Sequence, residues 1–191
     1  QAFNVYGAEY VSVPIDGHGL QTEWLEQALR AGPKFMYVLP NFQNPGGVTL
    51  SEGRRHELVL LADRYGIPIL EDDPYGQLRY EGEHLPPLLV VDRENLRGDD
   101  GYRLGNVIYL STFSKTLAPG LRLGWMSAGR WQSRVEMLKH VQSRNNEELS
   151  QRAAGDFMAS GAYDRHLRKL RAALDHQRAR MAAAIADHFP A

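Results

Sequence analysis

The amino-acid sequence predicts an α/β fold in which helices cover both faces of a mostly parallel sheet. Along most of its 191 residues, segments with the periodicity of strands alternate with segments with the periodicity of helices. Such alternation is typical of strand–helix–strand crossover units, which place neighbouring strands parallel. Three strand-like segments, FMYVL, IPIL and VIYL, are short and continuously apolar, as expected of strands buried on both faces.

The first half of the chain supplies three predicted strands and two predicted helices. Residues 9–14 alternate polar and apolar side chains and therefore predict a strand. Residues 22–30 carry apolar side chains at helical spacing before a Gly-Pro pair, so we expect a helix that ends there. FMYVL at residues 35–39 predicts the first buried strand. Residues 51–65 predict a helix that begins at a serine N-cap and ends before a glycine, and IPIL at residues 67–70 predicts the next strand.

The second half begins with a segment, residues 81–106, whose Pro, Gly, Asp and Arg content predicts a long surface excursion. Residues 107–113, which include VIYL, and residues 121–128 predict two further strands. From Trp131 onward the pattern is mostly helical, and the last helix is expected over residues 164–189. An apolar stripe is predicted along that last helix and consists of Leu167, Leu170, Leu174, Met181, Ile185 and Phe189.

Composition and charge argue against several classes of protein. The chain has Lys+Arg 22 and Asp+Glu 23, so no bulk positive charge favours binding to nucleic acid or to an anionic membrane. Without cysteine it can form neither a disulfide framework nor a thiolate metal site. The histidines show no HxH or HExxH spacing, so no metal site is expected, and no apolar stretch is long enough to span a bilayer. We expect a soluble, cytoplasmic protein.

Polar clusters follow the three apolar strands, at the edge of a parallel sheet where ligands bind. Asn44 lies in the segment after FMYVL, and Asp72 and Asp73 follow IPIL. A Ser-Lys pair that includes Lys115 follows VIYL. Taken alone, each cluster could be an ordinary turn, a helix cap or a solvated loop. Three such clusters on successive strand ends favour a functional site.

Lys115 differs from the other lysines in its position. The remaining lysines, Lys34, Lys139 and Lys169, fit ordinary roles before a strand or on polar helix faces. Lys115 alone follows a strand that is predicted to be buried, where its amine could lose water and act as a nucleophile. We therefore expect Lys115 to be the nucleophile of the site.

Three sequence strings together resemble the large domain of fold-type I pyridoxal-phosphate (PLP) aminotransferases of class I/II. They are QNP at residues 43–45, EDDPY at residues 71–75 and STFSKTLAPGLRLG at residues 111–124. Their order and spacing match the family, and the resemblance covers nearly all of the chain. Within this branch the sequence is most similar to the 2-aminoadipate and kynurenine aminotransferase type.

The resemblance implies a homodimeric PLP enzyme that moves an amino group from an amino acid to a 2-oxo acid, with 2-oxoglutarate as the expected acceptor. Lys115 would form the Schiff base with the cofactor and shuttle a proton during the reaction. Asp72 rather than Asp73 would pair with the pyridine nitrogen. Asn44 and Tyr75 would hydrogen-bond the ring oxygen. The cofactor phosphate would be held by Thr112, Ser114 and Arg122.

The same resemblance implies that the chain is one part of a two-domain protein. Residues 1–163 would belong to the PLP-binding large domain, and residues 164–191 would form a helix that leads toward a C-terminal small domain. The family's glycine-rich phosphate turn, its ring-stacking aromatic residue and the arginine for the substrate carboxylate have no counterpart in this sequence. We therefore expect the 191-residue chain on its own to be inactive. A further departure is Gly46, where the family often has threonine, and we expect it to be tolerated.

Two other functions are compatible with the sequence. Some bacterial transcription regulators join a winged-helix DNA-binding domain to an aminotransferase-like domain that senses a ligand, and an upstream helix-turn-helix would favour that function. Another PLP reaction, such as that of a β-lyase or a decarboxylase, would use the same cofactor residues. Because the QNP and EDDPY strings resemble those of true aminotransferases more than those of the regulators, we expect an enzyme rather than a nucleic-acid-binding protein.

Overall fold

A computed structural model describes residues 3–97 and 101–189 of the chain. The chain divides into two compact units, each built from segments that are distant in sequence. The first unit consists of Gln1–Asp72, Leu85–Tyr109 and Ala128–Trp131. The second unit consists of Asp73–His84, Leu110–Ser127 and Gln132–Ala191.

The first unit contains a short antiparallel hairpin, several helices and part of the main sheet. The hairpin is formed by β1 (Ile15–Asp16) and β2 (Gly19–Leu20). The helices are α1 (Thr22–Arg30), α2 (Glu52–Arg64), α3 (Leu88–Asp92), a π-helical turn at Arg93–Arg97 and α4 (Gly101–Leu104). The strands are β3 (Met36–Val38), β4 (Ile69–Asp72) and the first half of β5 (Val107–Thr112).

The main sheet has the strand order β3-β4-β5-β6, in which β6 is Gly124–Ser127. β3 and β4 are parallel, and Met36 lies opposite Ile69. On the other side of β4, the Ile69 amide donates a hydrogen bond to the main-chain oxygen of Asn106 at 3.0 Å. Because β3 and β4 are parallel, their carboxyl ends lie at the same edge of the sheet.

An apolar core holds the first unit together. α1 contributes Leu25 and Leu29, and α2 contributes Leu58 and Ala62, in each case at the four-residue spacing of a single helix face. These side chains pack with buried residues of the strands and of α3, which are Val38, Ile69, Leu88, Val91 and Val107. Full burial of one large aliphatic side chain stabilises a fold by about 1.5–3 kcal/mol, so this core is the main source of stability in the unit.

The sequence predicted the two long helices of this unit well. α1 spans residues 22–30 as expected. α2 begins directly after Ser51, whose backbone is extended as at an N-cap, and ends before Gly66. Gly66 has φ +66°, a left-handed conformation that costs glycine little and commonly ends helices.

Three sequence predictions for this unit are wrong. Residues 9–14 form no strand. The strands that do pair here are β1 and β2 of the hairpin that follows, each of which is two residues long. The expected surface excursion contains α3, because the LLVV run that begins at Leu88 is apolar enough to enter the core. β3 is not buried on both faces, since it is the terminal strand of the described sheet and Tyr37 is 49% exposed. A short apolar run has the same appearance in sequence whether its strand has one neighbour or two.

The second unit begins with a 3-10 turn at Gly76–Leu78 and includes the carboxyl half of β5. β5 leads into a single helical turn, α5 (Phe113–Thr116), which is followed by a 3-10 turn at Pro119–Leu121 and by β6. The remaining described residues of the unit are mostly helical and form α6 (Gln132–Ser143), α7 (Glu148–Ala159) and α8 (Ala162–His188).

The amino-terminal half of α8 is anchored to the turns of the second unit. The Tyr163 hydroxyl donates to Gln77 Oε1 at 2.6 Å, and Arg171 Nε donates to the main-chain oxygen of Gln77 at 2.7 Å. His166 Nε2 lies 3.1 Å from the main-chain oxygen of Thr116. These contacts hold α8 against both the 3-10 turn at Gly76–Leu78 and the α5 turn.

The apolar stripe predicted along the last helix is covered only in its amino-terminal part. Leu167 is buried, whereas Met181 and Ile185 are 63% and 50% exposed. α8 begins at Ala162, two residues before the predicted start at residue 164. In the part of the chain that the structure describes, no helix is both long enough and apolar enough to cross a membrane.

Candidate active site

The carboxyl end of β5, in the second unit, is shaped by the hydroxyl of Thr112. Its Oγ1 accepts a hydrogen bond from the Ser114 amide at 3.1 Å and so caps the α5 turn. The same hydroxyl donates to the main-chain oxygen of Leu123 at 3.0 Å. Ser114 Oγ also lies 3.0 Å from Thr112 Oγ1. Thr112 therefore holds the α5 turn and the segment before β6 together.

Lys115 lies on α5, directly after these two hydroxyl residues. Its side chain is exposed, as are those of Lys34, Lys139 and Lys169, so the expectation that the strand end desolvates this amine is wrong for this chain. The reason is that α5 is a single turn in which only Thr116 is buried. Lys115 is distinguished by its place on a capped turn after β5, and not by burial.

Arg122 occupies a constrained position beside the same turn. Its φ is +51°, in the left-handed region that residues other than glycine seldom occupy. Its guanidinium is exposed, and Nη1 lies 3.5 Å from the main-chain oxygen of Pro119, too far for a strong hydrogen bond. Two residues later Gly124 lets β6 approach β5 closely, since a Cβ there would lie 2.8 Å from the Ser111 main-chain oxygen. These contacts bring the segment that carries Arg122 against the end of β5.

The segment that carries Tyr75 is attached to β5 as well. The Asp73 amide donates to the main-chain oxygen of Leu110 at 2.9 Å, and Ser111 Oγ donates to the main-chain oxygen of Asp73 at 2.7 Å. The Asp73 carboxylate is buried and accepts a hydrogen bond from the Gly76 amide at 3.0 Å. The half-buried Tyr75 therefore lies on a turn that is anchored to β5 immediately before it.

A cleft of about 610 Å³ opens beside Arg122 in the second unit. It lies along β5, β6 and α6, and its lining includes Trp125, Lys139 and Glu147. Glu147 is committed to capping α7, where hydrogen bonds from the Ser150 hydroxyl and amide lower the pKa of its carboxyl. The size of the cleft is in the range of small-molecule pockets.

In the first unit, Asp72 ends β4 on the side of the strand that does not enter the core. Ile69 and Glu71 are buried, whereas Leu70 and Asp72 are partly exposed, as expected for side chains that alternate along a strand. The Asp72 carboxylate accepts a hydrogen bond from the Tyr37 hydroxyl of β3, with 2.5 Å between Oδ2 and the phenol oxygen. Of the two adjacent aspartates, Asp72 is thus the more exposed.

Asn44, also in the first unit, lies on a turn that the Gln43 side chain closes. Gln43 Nε2 donates to the main-chain oxygen of Asn44 at 2.9 Å, and Gln43 Oε1 accepts from the Gly46 amide at 2.8 Å. The Asn44 side chain is exposed, and the peptide bond between Asn44 and Pro45 is cis. A Cβ at Gly46 would lie 2.7 Å from Gln43 Oε1, so glycine at this position leaves room for the glutamine contact.

Arg55 supports this turn and was not identified by the sequence analysis. Although charged, it is fully buried on the face of α2 that enters the core. It donates hydrogen bonds of 2.7–3.2 Å to Asn41 Oδ1 and to the main-chain oxygens of Leu50, Pro40 and Pro86. Arg55 therefore fixes the segment that leads from β3 toward Asn44. The sequence signal was its spacing of three, four and seven residues from buried apolar positions of α2.

Glu71, the first acidic residue of EDDPY, has a structural role. It is fully buried, and its two carboxylate oxygens accept hydrogen bonds from the Leu88 and Leu89 amides at 2.8 and 3.0 Å. These amides begin α3 and have no partner within the helix, so the carboxylate satisfies them. In the described ranges, no cluster of three or more His, Cys, Asp or Glu residues could hold a metal ion.

Comparison with known proteins places the chain in a family. A family model described as aminotransferase class I and II matches residues 1–190. The chain belongs to this aminotransferase family. It is 37% identical over 197 residues to aromatic-amino-acid aminotransferase 1 of Thermococcus litoralis, a match that covers 100% of this chain and 45% of that protein. It is 39% identical over 130 residues to 2-aminoadipate transaminase of Thermus thermophilus, which covers 67% of this chain and 31% of that protein.

The solved structures agree with this family. The kynurenine aminotransferase of Pyrococcus horikoshii superposes with a TM-score of 0.88 at 35% identity, over 99% of this chain and 46% of that one. This likeness confirms the predicted fold class, the large domain of fold-type I aminotransferases, and the resemblance to the 2-aminoadipate and kynurenine type. The aminotransferase-family chain spans about half the length of this structure and of the Thermococcus litoralis relative. Membership of class I and II implies PLP as the cofactor.

Some relatives of this aminotransferase-family chain are named as transcriptional regulators and not as aminotransferases. An uncharacterized HTH-type transcriptional regulator of Bacillus subtilis is 33% identical over 180 residues, which covers 92% of this chain and 35% of that protein. Family membership alone therefore does not separate an enzyme from a regulator.

Proposed function

We propose that the protein containing this chain is a PLP-dependent aminotransferase that moves an amino group from an amino acid to a 2-oxo acid, with 2-oxoglutarate as the acceptor. The observation that carries the proposal is the arrangement at the end of β5. There a threonine hydroxyl caps the turn that bears Lys115 and also bonds the residue that follows Arg122. An amine, two hydroxyls and a guanidinium are thereby gathered on one short stretch of the second unit.

The chemistry of these donors fits the phosphate of PLP. Ser114 carries a half-buried hydroxyl beside the Thr112 cap, and Arg122 has an exposed guanidinium whose contact with the main-chain oxygen of Pro119 is long, at 3.5 Å. A guanidinium can bind two phosphate oxygens at once, and hydroxyls donate single hydrogen bonds to the others. We propose that Thr112, Ser114 and Arg122 bind the phosphate and so set the cofactor beside Lys115.

When bound, PLP supplies an electron sink for the bonds of the substrate α carbon. Lys115 would hold the cofactor covalently through its amine, which would condense with the aldehyde and release water. During the transfer the freed Lys115 amine would act as the base that accepts a proton from the substrate and gives it back. Its exposed position on a short turn gives the side chain the reach that both tasks need.

The residues of the first unit have complementary roles in this proposal. Asp72 would pair with the pyridine nitrogen, because a carboxylate stabilises a protonated ring. Asn44 would donate a hydrogen bond to the ring oxygen, and the sequence resemblance implies the same role for Tyr75. The names of relatives suggest the amino-acid donors to test first, which are aromatic amino acids, kynurenine and 2-aminoadipate. We further propose a homodimer, as in the family that the sequence resembles.

The experiment uses the full-length protein, loaded with PLP and assayed for amino-group transfer from these donors to 2-oxoglutarate. The expected result is turnover with at least one donor and loss of turnover in Lys115→Ala. Lys169→Ala is the matched control, because Lys169 is also exposed in the second unit but lies on α8, away from the cleft. Unchanged turnover in Lys115→Ala, or equal losses in the two variants, would contradict the proposal.

The second candidate is a ligand-sensing domain of a transcription regulator, which the similarity to HTH-type regulators favours. The same full-length protein separates the two functions. A regulator would bind a DNA fragment from its own promoter region with an affinity that an amino acid and PLP alter, and it would not release a 2-oxo acid. Release of 2-oxo acid at many turnovers per protein would identify the enzyme.

A further inference from the structure

We propose that Tyr37 is the residue that positions Asp72 for its contact with the cofactor ring. This inference rests on the proposed function and extends it to a residue outside the three recognised sequence strings. The Tyr37 hydroxyl lies 2.5 Å from Asp72 Oδ2, within one compact unit of the chain. A phenol can donate only one hydrogen bond, so its proton lies toward this carboxylate.

The sheet register explains why these two side chains meet. Tyr37 lies opposite Leu70 in the parallel pair β3 and β4, so both side chains point to the same face. Asp72 is two residues beyond Leu70 and therefore shares that face. A tyrosine is long enough to lean along the strand and reach it, whereas the neighbouring positions of β3 face the opposite side. The contact follows from strand pairing and is not an incidental surface encounter.

The hydrogen bond positions the Asp72 carboxylate. It occupies Oδ2 and thereby fixes the carboxylate plane, which leaves Oδ1 to face a ring nitrogen. Unlike an arginine, the phenol adds no positive charge that would repel a protonated pyridine ring. A neutral hydrogen-bond donor such as the Tyr37 phenol therefore positions Asp72 without repelling the protonated ring.

Aromatic packing restrains the Tyr37 ring. The ring of Phe3 lies edge-on to it with 6.2 Å between centroids, and Phe3 makes a second edge contact with Phe35 at 5.1 Å. The Tyr37 side chain is 49% exposed, so these contacts matter for its orientation. The Asp73 carboxylate is instead buried and accepts a hydrogen bond from the Gly76 amide at 3.0 Å.

The test compares Tyr37→Phe with Tyr65→Phe in the full-length protein. Tyr65 is a matched control because its hydroxyl also donates to a carboxylate of the same unit, Glu26 Oε1 at 2.8 Å, but it lies at the end of α2. The readout is the dissociation constant of PLP, measured by absorbance titration of the apoprotein. We expect Tyr37→Phe to weaken PLP binding roughly three- to tenfold, the effect of one lost hydrogen bond, and Tyr65→Phe to leave it unchanged.

A spectroscopic readout separates positioning from a general structural effect. The visible absorbance of the bound cofactor depends on pH, and in Tyr37→Phe its midpoint should move to higher pH. The reason is that a pyridine ring that is less firmly protonated withdraws less electron density from the rest of the cofactor. In an Asp72→Asn background the Tyr37→Phe change should have no further effect on the midpoint or on PLP affinity, since Tyr37 acts through Asp72. Thermal unfolding of the apoproteins checks that both tyrosine variants fold.

The outcomes distinguish this inference from the proposed function. If the wild-type protein does not bind PLP, the proposed function fails and the inference fails with it. If the wild type binds PLP but Tyr37→Phe matches it in affinity and midpoint, only the inference is overturned. Additive losses in the double variant Tyr37→Phe, Asp72→Asn would also overturn it, because Tyr37 would then act independently of Asp72.

Discussion

Replacement of Arg55 by methionine tests how the turn that carries Asn44 is held. Methionine keeps much of the length of the side chain and remains compatible with the buried face of α2, but it removes every hydrogen-bond donor. In the structure these donors satisfy Asn41 Oδ1 and three main-chain oxygens, at distances of 2.7–3.2 Å. The substitution therefore leaves several buried acceptors without their guanidinium partner.

The expected loss of stability follows from those contacts. Three of the four acceptors are bonded in fully buried surroundings, namely the oxygens of Leu50, Pro40 and Asn41. The Pro40 oxygen keeps a second donor, the Leu50 amide at 2.8 Å, so the oxygens of Leu50 and Asn41 carry most of the cost. A buried acceptor that loses its donor costs about 1–3 kcal/mol, and relief of the buried charge offsets part of the sum. We expect the free energy of unfolding to fall by about 3 kcal/mol.

The assay is urea unfolding of the full-length apoprotein, followed by tryptophan fluorescence. Arg64→Met on the same helix is the control, because Arg64 is 67% exposed and lies 3.9 Å from Glu26, so its loss should cost no more than about 0.5 kcal/mol. PLP affinity should also fall in Arg55→Met, since the segment before Asn44 loses its anchor. A change below about 1 kcal/mol in Arg55→Met, comparable with the control, would show that these hydrogen bonds do not stabilise the fold.

Three further predictions concern the site and the hairpin. Asp72→Asn should lower turnover of the full-length protein far more than Asp73→Asn, because an amide cannot hold the ring proton; equal losses would contradict the assignment. Gly124→Ala should lower the melting temperature, because its Cβ would lie 2.8 Å from a main-chain oxygen of β5, and an unchanged melting curve would refute that packing. The Arg54 hydrogen bond lowers the pKa of Asp16 from 3.8 to about 2, so the ion pair stabilises the fold above pH 4 and this contribution is lost as the pH falls toward 2. Chemical unfolding should therefore show wild type more stable than Asp16→Asn at pH 7 and a much smaller difference at pH 2, and a constant difference would contradict this.

Helix periodicity and turn chemistry were the most informative sequence signals for the fold. α1 and α2 were predicted closely because each has an apolar stripe and a clear stop, a Gly-Pro pair in one case and Gly66 in the other. Strand predictions were weaker because a strand depends on its partner. β4 starts at Ile69 rather than residue 67, after Pro68, which lacks an amide hydrogen for the ladder. The LLVV run of α3 was missed because its polar surroundings dominated the composition of the segment.

For the site, the sequence named candidate residues, and the structure adds how they are supported. Thr112, Ser114, Lys115 and Arg122 are close in sequence, so their grouping in one unit could be anticipated. Tyr37 could not be connected to Asp72 without the register of β3 on β4, because the two residues are 35 positions apart. The desolvation expected at Lys115 failed because strand burial does not extend to the side chains of the following turn.

The position at which the cofactor is attached to the chain decides whether Lys115 is the cofactor-binding lysine. The full-length protein is loaded with PLP, reduced with borohydride, digested, and analysed by mass spectrometry. We predict that the cofactor mass is found on Lys115 and is absent from Lys34, Lys139 and Lys169, although all four lysines are exposed. Cofactor attached to a different lysine, with none on Lys115, would contradict it.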